Sequence, residues 1–219
     1  MSSDDDKFNP YVDNGGTCIA IAGKDFVLIG SDTRMSDGGY QILSRTQSKV
    51  HQITDKVMIA LSGMKADADY LVKTLKQEVE NYNFKTGKEI GVSQFERLVS
   101  VSLYRRRFFP WYTFNIVGGL NDAGEGKIYS YDAIGSSGEY QYTATGSGES
   151  LAIGVLDNEI MPLITDNRIG DLTIEWAKRI AIGAMEAVTE REIKTGDNFL
   201  YYIITKDGIQ TLSHPLRRD

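Results

Sequence analysis

The sequence predicts an α+β fold in which two β-sheets lie face to face, with layers of helices outside them. Nearly every residue from Thr17 to Ser31 is apolar or small, so the strands there must be covered on both faces. The order along the chain is strands, two helices, strands, two helices, strands. Buried strands with grouped helices indicate two stacked sheets enclosed by helices.

Apolar runs bounded by turn residues locate the strands. The first two fill residues 17–31 around a turn at Gly23, Lys24 and Asp25. The remaining strands are predicted at 49–52, 57–62, 114–119, 127–131, 199–205 and 209–212.

Apolar residues recur at helical spacing in four segments. The second of these opens with Ser93 and Glu96, three residues apart, which is a capping-box pattern. The helices are predicted from residue 65 onward and over 92–106, 149–163 and 172–190.

The length of 219 residues fits one domain with a sizeable core, or two small ones. We assign a single domain to residues 16–219. Residues 1–15 are polar, acidic and rich in turn formers, which predicts an extended N-terminal arm or a short propeptide. Phe8, Pro10 and Tyr11 could attach this arm to a surface of the domain.

Charge and cysteine content exclude several classes of function. The net charge is −6, whereas a general nucleic-acid binder would normally be basic. Cys18 is the single cysteine, so no internal disulfide forms, which suits a reducing compartment. The N-terminus carries no apolar signal-peptide core, and no run approaches the roughly 18 apolar residues of a membrane span. We expect a protein of the cytoplasm and nucleus that binds neither nucleic acid nor membrane.

Five motifs, in this order and spacing, resemble the beta subunits of the 20S proteasome, a family of N-terminal-nucleophile hydrolases. The resemblance covers almost the whole chain. It rests on GSDTR (30–34), SKVHQITDKVMIALSG (48–63), the following Ala66-Asp67, GSG (146–148) and GDNFLYYIITKDGI (196–209). Three further stretches look most like the non-catalytic sixth beta position (beta-6): FNPYVDNGGT (8–17), RRRFFPWYTFNIVGGL (105–120) and LRRD (216–219).

The resemblance implies a four-layer αββα sandwich of the N-terminal-nucleophile hydrolase type. It also implies a place in a beta ring within a stacked-ring hetero-oligomer of proteasome alpha and beta subunits. No cofactor is expected, apart from a structural Mg²⁺ ion that the family often holds on loop carbonyls, here matched by Thr189, Glu192 and Thr195.

Active members of this family cut peptide bonds with an N-terminal threonine, whose own α-amine acts as the base. Counted back from the family's aspartate, matched by Asp32, the nucleophile position is Gly16. Glycine has no hydroxyl, so the resemblance implies an inactive subunit. Lys49 matches the family's lysine.

The family's supporting polar residues are matched less closely. Ser147 matches the serine of GSG, and Glu192 and Thr195 stand where the family usually has aspartate and serine. Ser147 could alternatively cap the helix that follows it.

The alternative function is an active threonine peptidase that uses Thr17 after removal of residues 1–16. Lys49 would then lie at the family's spacing, but Asp32 would be one residue too close. A slip of one residue in a strand turns a side chain to the opposite face. Thr17 and Asp32 could then both occupy their family positions only across a β-bulge.

Several of these residues could instead have purely structural roles. Asp32 and Arg34 could form an ion pair at the end of a strand, and Lys49 could be a buried cation paired with Asp32. Cys18, inside an apolar run, is typical of a small core residue.

The resemblance also places one segment against a neighbour's active site. In the resembled ring, the sixth beta subunit completes the substrate pocket of the chymotrypsin-like subunit, so peptide substrates would be met there. The matching residues are Asp132, Ala133 and Ile134, in the turn after a strand. Alternatively, Asp132 only binds backbone N–H groups of its own turn.

Overall fold

The computed structural model describes residues 9–219 and contains two antiparallel five-stranded sheets enclosed by four helices. The strands are β1 Thr17–Ala22, β2 Val27–Asp32, β3 Met35–Ser36, β4 Ile42–Ser44, β5 Val50–Gln52, β6 Val57–Gly63, β7 Thr113–Leu120, β8 Gly126–Tyr131, β9 Ser137–Tyr140, β10 Tyr142–Gly146, β11 Asn198–Thr205 and β12 Gly208–Pro215. The helices are α1 Lys65–Thr86, α2 Val92–Tyr104, α3 Glu149–Thr165 and α4 Ile174–Thr189.

The two sheets form the inner layers of the fold. One has the strand order β10-β1-β2-β11-β12 and the other the order β5-β6-β7-β8-β9, while β3 and β4 form a separate small hairpin. Helices α3 and α4 pack on the first sheet, and α1 and α2 pack on the second. The predicted α+β fold, with two sheets between helix layers, is confirmed.

Strand β1 shows why its sequence is apolar at every position. Ile19 and Ile21 pack against α3 and α4, whereas Cys18 and Ala20 face the other sheet. Successive side chains of a strand point to opposite faces, so a strand in an inner layer has no face in water. Burial raises the pKa of Cys18 to about 12, and this thiol is a core residue as predicted.

Two pairs of strands were not predicted. The segments of β9 and β10 read Ser-Gly-Glu-Tyr and Tyr-Thr-Ala-Thr-Gly, which lack the apolar runs that mark the other strands. Their register is imposed by their neighbours, because β9 pairs with β8 and β10 pairs with β1. The β3–β4 hairpin is short and mostly half-buried, and it carries no periodicity to detect.

The predicted capping box of α2 is wrong. The N-cap is Gly91, and Ser93 lies inside the first turn with no side-chain capping bond. Glu96 instead accepts a hydrogen bond from the Ser137 hydroxyl at 2.6 Å. Ser147 likewise does not cap α3, whose N-cap is Gly148.

Within residues 9–219, no helix combines the length and the apolar character needed to cross a bilayer.

Candidate functional site

A side chain at Gly16, just before β1, would collide with Lys49 and Asp32. Gly16 has a φ of +93°, a conformation that favours glycine. A Cβ built on it would lie 2.2 Å from Cε of Lys49 and 2.8 Å from Oδ1 of Asp32. This position therefore faces the matched lysine and aspartate but offers them no hydroxyl.

Lys49 and Asp32 form a buried ion pair beside Gly16. Nζ of Lys49 lies 2.9 Å from Oδ1 of Asp32, and the two side chains are 6% and 0% exposed. Nζ also donates to the backbone oxygens of Asp32 at 3.0 Å and Arg34 at 2.7 Å. A lysine ammonium has three N–H donors, so all of them are engaged within the chain.

The Asp32 carboxylate is also held by backbone donors. Oδ1 accepts from the N–H of Thr17 at 2.9 Å, and Oδ2 accepts from the N–H groups of Arg34 at 3.1 Å and Gly196 at 3.2 Å. Burial raises the pKa of Asp32, and the Lys49 charge and the hydrogen bonds oppose that rise. Asp32 thus ties together β1, the end of β2 and the loop before β11.

The interpretation of Asp32 and Arg34 as an ion pair is wrong. Arg34 donates from Nε to Oδ2 of Asp197 at 3.0 Å, and its Nη1 donates to the backbone oxygen of Ile193 at 2.8 Å. Asp197 is fully buried and is also bound by Arg45. The other interpretation, in which Lys49 is a buried cation paired with Asp32, is confirmed.

The hydroxyl of Thr17 points away from this pair. Its Oγ1 accepts from the N–H of Gly148 at 3.1 Å and lies 2.7 Å from Oγ1 of Thr195. A Cβ at Gly16 would meet Lys49 and Asp32, whereas the Thr17 hydroxyl meets Gly148 and Thr195. Within the part of the chain that the structure describes, β1 pairs with β10 and β2 without a register shift, so no bulge brings the Thr17 hydroxyl onto Lys49.

The matched polar residues around α4 form one network. Oε2 of Glu192 accepts from the hydroxyls of Ser147 and Thr195, each at 2.7 Å. Thr195 continues the network to Thr17, and the N–H of Ser147 donates to the backbone oxygen of Gly16 at 3.0 Å. These residues therefore stabilise the start of β1. Their contact with Gly16 is a hydrogen bond to the Gly16 backbone oxygen.

The arm that precedes β1 is hydrogen-bonded to three other elements of the domain through Asn14. The side chain of Asn14 donates to the backbone oxygen of Ser36 and accepts from the N–H of Lys65, both at 2.8 Å. Its backbone N–H donates to the oxygen of Gly63 at 3.1 Å. The cavity left between Asn14, Gly63 and Lys49 is about 20 Å³, room for about one water molecule.

Tyr11 attaches an earlier part of the arm to the surface of the domain, as predicted for this residue. Its hydroxyl donates to the backbone oxygen of Pro110 at 2.8 Å, and its ring packs against Phe109 and Tyr112. Pro10 is exposed, and Phe8 lies outside the described residues, as do positions 1–7 of the predicted arm.

The three residues predicted to line a neighbour's pocket lie in the turn after β8, but they do not share one groove. Oδ1 of Asp132 accepts from the N–H groups of Ile134 at 3.0 Å and Ser136 at 2.8 Å, so it does stabilise its own turn. Asp132 lines a groove of about 880 Å³, Ile134 lines a separate groove of about 450 Å³, and Ala133 lines neither.

The three loop carbonyls matched to the family's Mg²⁺ ion lie in and after the last turn of α4. The carbonyl of Glu192 accepts from the N–H of Thr195 at 3.4 Å, so one of the three expected carbonyl ligands is engaged in the turn. Among residues 9–219, no three or more His, Cys, Asp and Glu side chains gather as a metal site. The Mg²⁺ ion near Thr189, Glu192 and Thr195 stays a prediction.

Sequence reasoning missed two residues that hold the site together. Asn14 is an ordinary polar residue in a turn-rich arm, and nothing in its spacing indicates that it joins three elements. Asp197 lies in the GDNF motif, but its partners Arg34 and Arg45 are 163 and 152 residues away in the chain. Long-range pairs of this kind leave no local pattern.

We expect Gly16→Ala to lower the free energy of unfolding more than Gly124→Ala does. Both glycines have positive φ, but a Cβ on Gly124 has open space around it, whereas a Cβ on Gly16 must displace Lys49. Backbone strain costs each variant about 1–2 kcal/mol, and disturbing the buried ion pair should add about 2 kcal/mol for Gly16. Urea unfolding of the purified chain measures the difference. Equal losses would mean that Lys49 moves aside freely.

Comparisons with known proteins identify the family of this chain. The family model described as "Proteasome subunit" matches residues 12–204. The Dictyostelium discoideum "Proteasome subunit beta type-1" is 40% identical over 217 residues, which cover 97% of this chain and 91% of that protein. The Arabidopsis thaliana protein of the same name is 39% identical over 224 residues and the full length of both chains.

A relative with a different number in its name matches almost as well. The "Probable proteasome subunit beta type-6" of Schizosaccharomyces pombe is 37% identical over 223 residues, which cover 97% of this chain and 98% of that protein. The names therefore agree on a beta subunit but not on one number. The matched family model, the length of these alignments and the four-layer fold together place this chain in the proteasome beta-subunit family.

Proposed function

We propose that this chain is a non-catalytic, structural subunit of the 20S proteasome core. As a member of its family it assembles with other alpha and beta subunits in stacked rings. The proposal rests above all on Gly16, which faces Lys49 and Asp32 without a side chain and where a Cβ would have to displace Lys49. A nucleophile at this position would need a hydroxyl.

Three further observations support an inactive site. All donors of Lys49 are engaged by Asp32 and Arg34. The hydroxyl of Thr17 accepts a hydrogen bond from the backbone of Gly148 and lies on the side away from Lys49. Asn14 bonds to Ser36 and Lys65 and holds the chain that leads into Gly16 within the fold. A structural role explains each contact without a chemical step.

We also propose that this subunit occupies the sixth beta position of the ring. The stretches 8–17, 105–120 and 216–219 support the sixth beta position, and the numbers in the relatives' names do not decide it. The single cysteine, which suits a reducing compartment, supports the cytoplasm and nucleus as its location.

The second candidate function is a threonine peptidase that uses Thr17, and one pair of variants separates the two. In assembled particles, we expect both Thr17→Ala and Thr17→Ser to retain each class of peptide cleavage, because the hydroxyl braces Gly148 and does not react. The alanine variant loses that hydrogen bond and about 1 kcal/mol of stability, so rates are compared per assembled particle.

Fluorogenic peptides for each class measure these rates. A catalytic Thr17 would show a different pattern, in which alanine abolishes one class of cleavage and serine retains part of it. That result would overturn the structural role.

We further propose that Asp132 acts on substrates through the neighbouring chymotrypsin-like site. Oδ1 is used by the turn, but Oδ2 accepts no hydrogen bond from the described chain, and the residue is exposed at the edge of the 880 Å³ groove. One oxygen of this carboxylate is therefore free to meet a substrate or a neighbouring subunit.

Asp132→Asn isolates this role, because asparagine keeps the acceptor that the turn requires and loses only the charge. We expect a change of several-fold in KM or in side-chain preference for the chymotrypsin-like activity alone, which corresponds to about 1 kcal/mol. Asp122→Asn, in an exposed turn between β7 and β8, is the matched control. Unchanged kinetics for Asp132→Asn across a peptide panel would leave Asp132 with the turn alone.

A further inference from the structure

A second groove lies on the other side of the Asp132–Ser137 turn, between that turn and helix α2. It holds about 450 Å³ and is lined by Arg97, Ser100, Val101, Tyr104, Arg105, Ile134, Gly135 and Ser136. We call it the α2 groove. We propose that the α2 groove receives an acidic segment of a neighbouring subunit, with a carboxylate between the two arginines and an apolar side chain on the floor.

The charged residues that line the α2 groove all have one sign. Among the described residues, Arg97 and Arg105 are the charged ones in its lining. Within residues 9–219, Arg97 makes no ion pair and no hydrogen bond. Arg105 makes one contact with Glu78 at 3.3 Å, and its side chain is 62% exposed. An exposed pair of this kind contributes little, so both arginines are available to a carboxylate.

The floor between the arginines is apolar. Val101 and Tyr104 lie one turn apart on α2 and are 37% and 63% exposed, and Ile134 closes the opposite wall. An aromatic residue and arginines around an apolar floor are the residue types enriched where proteins bind each other. The chain as a whole has a net charge of −6, so this basic, apolar surface differs from its average.

The groove is formed before any partner arrives. The Ser100 hydroxyl donates to the backbone oxygen of Gly135 at 2.7 Å and joins the turn to α2. Gly135 has a φ of +93°, and a Cβ on it would lie 2.4 Å from the backbone oxygen of Ser100. Glycine therefore lets the turn approach the helix closely enough to make a rigid wall.

The Asp132–Ser137 turn separates two grooves of opposite charge. The groove of Asp132 is lined by four carboxylates and no basic residue: Asp132, Glu139, Glu149 and Asp157. Glu96, on α2, is turned toward the acidic side by its hydrogen bond to Ser137. A segment with a carboxylate is therefore repelled by the acidic groove and attracted to the α2 groove. This difference fixes the side of the turn on which the segment binds.

A neighbouring subunit is the occupant because a ring subunit has partners on its flanks, and in this respect the inference rests on the proposed function. Cross-linking tests it directly. Tyr104→p-benzoylphenylalanine places a photoreactive group on the floor of the groove, and the purified assembled particle is irradiated and digested. We expect cross-links to a peptide of another subunit that contains Asp or Glu at or beside the linked residue.

The alternative outcomes count against the proposal in distinct ways. Cross-links only within this chain, or to a peptide without an acidic residue, would overturn the α2 groove as an acidic docking site. A wild-type chain that does not co-purify with other subunits would instead overturn the proposed function, because no particle would then form.

Charge variants of Arg97 provide an independent measurement in the full particle. We expect Arg97→Glu to lower incorporation about tenfold in competition with the wild-type chain, because like charges would meet. Arg97→Lys keeps the charge and should incorporate as well as the wild type. Reversing the cross-linked carboxylate to Lys should restore incorporation of Arg97→Glu. Equal incorporation of the Glu and Lys variants, or no restoration by the reversed partner, would contradict the proposed contact.

Discussion

The buried ion pair between Lys49 and Asp32 is the interaction on which the rest of the site depends. It joins β1, the end of β2, the start of β5 and the loop before β11 at one point without access to water. Removing one partner would leave an unpaired buried charge, at a cost of about 3–5 kcal/mol. The pair therefore has a structural reason to be retained when the neighbouring position is Gly16 and no nucleophile is present.

The same physical constraint accounts for the network around it. Thr17, Thr195, Glu192 and Ser147 satisfy one another's polar groups and bind the backbone beside Gly16. Thr17 and Thr195 are buried and need partners, and the half-buried Glu192 and the exposed Ser147 continue the network to the surface. Asn14 then holds the preceding arm by hydrogen bonds to Ser36 and Lys65. The contacts of this site therefore stabilise the start of β1 and the arm that leads into it.

The sequence predicted the parts of this structure that follow from local patterns. The apolar runs of β1 and β2 located the inner sheets, whereas the resemblance to the beta subunits is what placed Asp32 and Lys49 beside Gly16. Partners that are distant in the chain were not predictable: Arg34 binds Asp197, not its near neighbour Asp32. Strands β9 and β10 were missed because their Ser, Gly, Thr and Glu residues become strands only through pairing with β8 and β1.

The mature N-terminus of this chain in the assembled particle tests the central claim, which is that the arm is a lasting part of an inactive site. Mass spectrometry of the subunit from purified particles measures it. An arm that bonds Gly63 and Lys65 through Asn14 should persist, so the account predicts a chain that still contains Asn14 and Gly16. A mature chain that begins at Thr17 would contradict it, because cleavage there creates the free threonine amine that a peptidase of this family requires.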